Sequence, residues 1–152
     1  MIGKEENGEE RKIDELCAWI RQETGSDLAA YGTVDQVSRK LEWRHVNGGI
    51  STRTGLIRQK ASLGLTGAAI RAGRPLKLEQ GWDERDRFKL GEAIFMTEKL
   101  MTAAAIPLAS GQLTDQAGVL LIGRRENIGY GHEQLQKAVE LTKTITGCGD
   151  LL

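Results

Sequence analysis

Hydrophobic and polar positions along this chain change period several times, and each change marks an element. From Glu9, Ile13, Leu16, Cys17 and Ile20 recur at three- and four-residue steps, with Arg, Lys, Glu and Gln on the other side. That is the period of an amphipathic helix, predicted over Glu9 to Glu23 and ended by Thr24-Gly25-Ser26. Residues 1–8 carry charges, glycines and an asparagine with little to bury, and read as a flexible solvated leader. Asp27 to Asp35 (DLAAYGTVD) is short, apolar and bounded by polar residues, the pattern of a central strand. After a turn at Gln36 to Lys40, Leu41, Trp43 and His45 alternate with Glu42, Arg44 and Val46, as in a half-exposed strand. Trp43 is thereby placed on the side of Leu41, where it is either a core residue or a donor to a ligand through its indole N–H. Asn47-Gly48-Gly49 is a loop signal, and Ile50 to Lys60 reads as a short turn and a strand at Leu56 to Gln59, with Ile50, Leu56 and Ile57 as its core residues.

The stretch Ser62 to Leu78 (SLGLTGAAIRAGRPLKL) organises the middle of the chain. A glycine-bracketed turn, Gly64-Leu65-Thr66-Gly67, leads into a small-residue helix that Gly73 stops, Pro75 forbids from continuing, and Leu76-Lys77-Leu78 follows as a strand. Thr66 is the predicted N-cap. A helix starting in such a turn presents free N–H groups and a partial positive charge under few large side chains. Two readings follow: a seat for a small anion, or an ordinary junction whose amides are satisfied by the cap and water. Gly81 to Arg87 reads as a polar loop with a short helix, Trp82 being a lid residue or a surface anchor, and Ala93 to Leu100 as a short helix or turn. Thr102 to Ala109 and Gln116 to Arg124 are strands joined by a hairpin loop at Ser110 to Asp115, with Pro107 tolerable near an edge or bulge. Tyr130 to Ile145 is an amphipathic helix that Gly147 ends. The order of elements predicts an α+β fold: an antiparallel sheet of about six strands, terminal helices on one face, a ligand pocket on the other.

Composition narrows the chemistry. A chain of 152 residues fits one domain, here 9–147 between the leader and a tail at 148–152, and its 21 basic and 21 acidic residues cancel. That balance gives no electrostatic footprint for nucleic acid or an anionic membrane. No apolar run approaches a membrane span, and the charged N-terminus lacks the apolar stretch of a signal peptide, so a cytoplasmic location is expected. Cys17 and Cys148 form no CxxC pair and read as reduced thiols, and His45 and His132 stand apart without clustered carboxylates. Neither a metal motif nor a nucleophile elbow is present, and no cofactor is expected.

Three phrases resemble the GAF domain, a small-ligand sensor fold: GLTGAAIRAGRPLKL at Gly64 to Leu78, MTAAAIPLA at Met101 to Ala109, and the stretch from Ala117 to Ile145 that opens AGVLLIGR. Gly64, Gly67, Gly73 and Pro75 fit the G-x-x-G-x-x-x-x-x-G-x-P phrase common in that family. Within it, LEWRHVNGG at Leu41 to Gly49 and the glycine-bracketed turn are similar to the stand-alone nitrate-receptor GAF proteins of the Nre type. That resemblance implies a non-catalytic cytosolic receptor that binds nitrate and controls a sensor histidine kinase. Carried over residue by residue, it implies a site at Trp43, the amides around Leu65, Thr66 and Gly67, and a third amide at Ile94 or Phe95. The tyrosine-proline pair often found before that third amide is Glu92-Ala93 in this chain. A second group of similar fold, the free methionine-(R)-sulfoxide reductases, needs reactive cysteines in loops over the pocket, whereas Cys17 and Cys148 lie in the terminal helical regions.

The expected mechanism is a rigid set of neutral donors around a planar monovalent anion, coupled to the way the terminal helices meet a kinase or a second copy of the chain. Two other readings stay open. One is a ligand-free scaffold whose terminal helices dimerise or hold a partner, its pocket filled by Phe95, Met96 and Trp43. The other keeps the pocket for a carboxylate metabolite, with Arg71 as the candidate cation.

Overall fold

A computed structural model describes residues 2–78 and 92–146. The expectations for Gly81 to Arg87, Trp82, Gly147, Cys148 and the tail fall outside them. Helix α1 (Ile2–Thr24) is followed by strands β1 (Leu28–Val34) and β2 (Lys40–Asn47), a 3-10 turn at Thr54–Leu56, and β3 (Arg58–Lys60). Then come α2 (Gly64–Ala72), β4 (Leu76–Lys77), α3 (Ala93–Thr97), β5 (Thr102–Leu108), β6 (Gly118–Arg124) and α4 (His132–Thr146). The strands form one antiparallel six-stranded sheet in the order β3-β2-β1-β6-β5-β4.

The central strands are buried on both faces, which is why β1, β5 and β6 read as nearly continuous apolar runs. Their alternate side chains serve two cores. Ala29, Tyr31, Leu120 and Ile122 pack against Ile13, Leu16 and Ile20 of α1 and Ala138 of α4. Leu28, Ala30, Val119 and Leu121 face Leu65 and Ala69 of α2 and Ile94 and Phe95 of α3. The terminal helices thus share one face and the turn-and-helix elements the other, as the sequence predicts. Pro107 lies within β5, opposite Val119, but β4 pairs only with Ala104 and Ala105, so no ladder donor is asked of the proline on that side.

Four expectations are corrected. Helix α1 starts at Ile2 and takes in the stretch expected as a flexible leader; no proline interrupts residues 1–8, and Lys4, Glu5 and Glu6 among them are good helix formers. The alternation of β2 breaks at Arg44, because Tyr31 and Gly32 of β1 pair with His45 and Trp43, leaving Arg44 as an extra residue. Such a bulge reverses the phase of the side chains beyond it. Leu41 and Trp43 therefore enter one core with Val46, while His45 turns to the α1 side, its Nδ1 2.8 Å from Asp14 Oδ1. Ile50 and Leu56, expected as core, are 56% and 79% exposed. The buried residue of that turn is Thr54, which donates to the Glu98 carboxylate.

That carboxylate is fully buried, and Arg125 Nη2 pairs with it at 2.7 Å while the Ile50 amide donates to it at 2.8 Å. The same guanidinium reaches the carbonyl of Gly48 at 3.0 Å and that of Glu98 at 2.8 Å, so one arginine fixes the loop that leads to β3. The fourth correction, the N-cap of α2, belongs to the site.

Candidate functional site

Strand β3 alternates exposed, buried, exposed, which turns Gln59 inward between outward-facing Arg58 and Lys60. Helix α2 begins after a connection of three residues, Ala61 to Leu63. Its N-cap is the extended Leu63 and not Thr66, and it makes no side-chain cap bond. Gly64 takes a left-handed φ of +67°, which shifts the start of the helix ahead of the threonine. Thr66 is consequently inside the first turn, buried, with its amide and hydroxyl both facing the carboxylate of Glu92, the residue just before α3.

The Thr66 amide donates to Glu92 Oε1 at 3.0 Å, and its hydroxyl to Oε2 at 2.7 Å. Gln59 Nε2 donates to the same Oε2 at 2.6 Å and, over a longer 3.3 Å, to the Thr66 hydroxyl oxygen. Side-chain amide, hydroxyl and backbone N–H thus converge on one planar carboxylate, which is 5% exposed. Burial raises its pKa above the ordinary carboxylate value; the Thr66 amide and hydroxyl, the Gln59 amide and the Leu65 amide pull in the opposite direction. An acceptor from outside the helix has taken the capping task expected of Thr66.

The other predicted residues divide. Trp43, Leu65, Ile94 and Phe95 meet in a single apolar cluster. The Trp43 side chain is buried, and its indole N–H has no hydrogen-bond partner among the described residues. The amide of Phe95 donates to the Glu92 carbonyl at 3.0 Å, within the first turn of α3. Gly67 donates to the Leu63 carbonyl at 2.9 Å, and a Cβ there would meet the Ser62 backbone at 2.2 Å, so this glycine serves close packing. Met96 is 84% exposed and does not fill the pocket. Arg71 is exposed and donates to the Ser62 carbonyl.

Gln59 and Glu92 were not among the predicted site residues. The signal for Gln59 was its inward phase in a very short strand. That for Glu92 was its standing where a tyrosine is often found. A second buried acceptor, Gln59 Oε1, has no hydrogen-bond partner among the described residues. Among the described residues no group of three or more histidines, cysteines, aspartates or glutamates could hold a metal, and no helix is long and apolar enough to cross a membrane.

The sheet order and the two-faced helical cover define a GAF-like fold. Among solved structures, the chain is similar to the NreA protein of Staphylococcus aureus mutated in its nitrate binding site, at 25% identity over 81% of this chain and 90% of that chain, with a TM-score of 0.67. The GAF domain of a phosphoenolpyruvate-protein phosphotransferase from Acinetobacter shares the fold at 15% identity, covering 97% of this chain and 93% of its own, TM-score 0.66. So does a type II free methionine-R-sulfoxide reductase from Thermoplasma acidophilum, at 10% identity, covering 93% and 92%, TM-score 0.69. No family model and no curated protein matches the chain.

Proposed function

We propose that this protein is a non-catalytic sensor for a small planar oxyanion, nitrate above others, that takes the anion at the start of α2 and passes its presence to a sensor histidine kinase in the cytoplasm. One observation carries the reading: the amide and hydroxyl of Thr66 and the amide of Gln59 already hold a planar oxyanion, the carboxylate of Glu92. Nitrate has the same planar, acceptor-only oxygens and a single negative charge. Neutral fixed donors suit such a weakly basic ion, each bond to a charged acceptor contributing about 1.5–3 kcal/mol. Micromolar affinity, about 8 kcal/mol, is a reasonable remainder after desolvation and ordering. The unpartnered indole N–H of Trp43 adds a further donor in the same core. The similarity to NreA, a protein with a nitrate binding site, points the same way. Helices α1 and α4, on the far face of the sheet, are the surface we assign to the kinase or to a second copy of the chain.

A ligand-free scaffold is the second reading, and one observation favours it: the donors are occupied by the chain's own side chain. Calorimetric titration with nitrate, with nitrite, chloride and acetate as controls, repeated on Trp43→Ala, separates the two. Saturable nitrate binding that Trp43→Ala abolishes supports the sensor. Absence of heat with every anion, in the wild type and in variants lacking the Glu92 carboxylate, leaves the scaffold.

A further inference from the structure

Two buried glutamates flank α3, and they are served differently. Glu98 is caged by a guanidinium, a backbone amide and a hydroxyl, the composition of a structural carboxylate. Glu92 is held by neutral donors. The cations on the adjoining elements are turned elsewhere: Arg58 and Lys60 are exposed, Arg58 pairing with Glu42 at 2.9 Å, and Arg71 binds the Ser62 carbonyl. Among the described residues no cation is placed against the Glu92 carboxylate, and a buried carboxylate so served is costly to keep. Its network is also unfinished. An ionised carboxylate only accepts, so Gln59 must turn its NH2 group toward Glu92, and that orientation leaves Gln59 Oε1 without a donor among the described residues. Gly64 completes the seat: a Cβ there would lie 3.0 Å from both Cδ and Oε1 of Glu92, so the carboxylate rests against a residue that has no side chain.

We infer that Glu92 is a tethered resident of the anion site, a built-in competitor that an external oxyanion must displace from Thr66 and Gln59. This rests on the anion-sensor reading above and adds to it the residue that sets affinity and selects the ligand class. A carboxylate joined to its site by its own backbone acts at an effective concentration on the order of millimolar. Only an anion that suits the neutral donors better than a carboxylate does, or one present in excess, gains entry. Anion entry then becomes a structural event, because displacing the side chain breaks the link between the starts of α2 and α3. The ligand class is a small planar oxyanion able to replace a carboxyl head.

The test removes the competitor and then returns it as a free molecule. The full chain and its Glu92→Ala and Glu92→Gln variants are titrated with nitrate and with acetate, with thermal denaturation as the control for folding. The expected result is nitrate binding at least about tenfold tighter in both variants than in the wild type. Acetate should bind E92A in competition with nitrate and fail to bind the wild type. Equal or weaker nitrate binding in the variants, with no acetate binding by E92A, overturns the displacement and leaves the anion sensor standing. No anion binding by any form removes the sensor reading itself. If the variants do not fold, wild-type protein carrying carbon-13-labelled glutamate decides: the Glu92 carboxyl resonance moves as nitrate saturates the protein, and a resonance that stays in place at saturation overturns the inference.

Discussion

Glu92 Oε2 accepts the Thr66 hydroxyl at 2.7 Å across 26 residues of chain, and this bond ties the first turn of α2 to the residue that opens α3. Thr66→Val keeps the branched shape and deletes the hydroxyl. It should cost about 1.5–3 kcal/mol, the size of one bond to a charged acceptor. Thr66→Ser should recover most of that loss. Urea unfolding of the three proteins checks both expectations.

Glu92 also gives the fold a pH dependence with an unusual sign. Burial raises its pKa in the folded protein above the ordinary carboxylate value, so between those two values the folded chain binds more protons than the unfolded one. Stability contributed by this group is therefore fully present below the unfolded pKa and is lost as pH rises through the folded one. In Glu92→Gln that decline should be absent, and the variant should gain on the wild type as pH rises across the window. Denaturant midpoints measured from acid to neutral pH read the difference, and parallel curves would remove the assignment.

Much of this architecture was legible in the sequence. Strands β1, β5 and β6 declare themselves by unbroken apolar runs, and Gly73 with Pro75 marks the end of α2 where it occurs. What escaped was set by tertiary geometry. The bulge at Arg44 sends His45 to the opposite face from Trp43, and no local pattern encodes it, because it depends on how β1 pairs. The cap of α2 comes from Glu92, far along the chain, and a sequence read locally assigns that task to the nearest threonine. Ile50 and Leu56 look like core only until Thr54 is seen to be the residue that Glu98 draws inward.

Arg125 neutralises the fully buried Glu98 and also holds the Gly48 carbonyl. Arg125→Ala would leave that carboxylate buried and unpaired, which costs about 3–5 kcal/mol. The double variant Arg125→Ala/Glu98→Gln should lose less than Arg125→Ala alone, since the uncompensated charge goes with the glutamate. A thermodynamic cycle through the single and double variants measures the coupling. Simple additivity would mean the two side chains act independently.

Cys17 sits wholly buried in the α1 core, and burial, with Asp14 adding its charge, pushes its thiol up to about 12. The thiolate is the reactive form, so at neutral pH Cys17 should resist alkylation in the folded protein and react at once in denaturant. Mass spectrometry of the labelled peptide over time checks this. Rapid native labelling would show that α1 leaves the sheet readily.

The two glycines at the ends of α2 form a controlled pair for the site. Gly64 and Gly73 share nearly the same left-handed φ, +67° and +66°. An alanine at either position meets the same left-handed penalty, about 1–2 kcal/mol. Around Gly73 nothing among the described residues lies within 4 Å of the added Cβ, whereas at Gly64 it would meet the Glu92 carboxylate at 3.0 Å. Gly73→Ala should therefore report the backbone cost alone and leave anion binding unchanged. Gly64→Ala should lose more stability and shift nitrate affinity, because the carboxylate must give way or the helix must move. Chemical denaturation with parallel nitrate titration separates the two terms. Equal losses, with equal affinities, would mean that the Gly64 seat does not hold Glu92 in place.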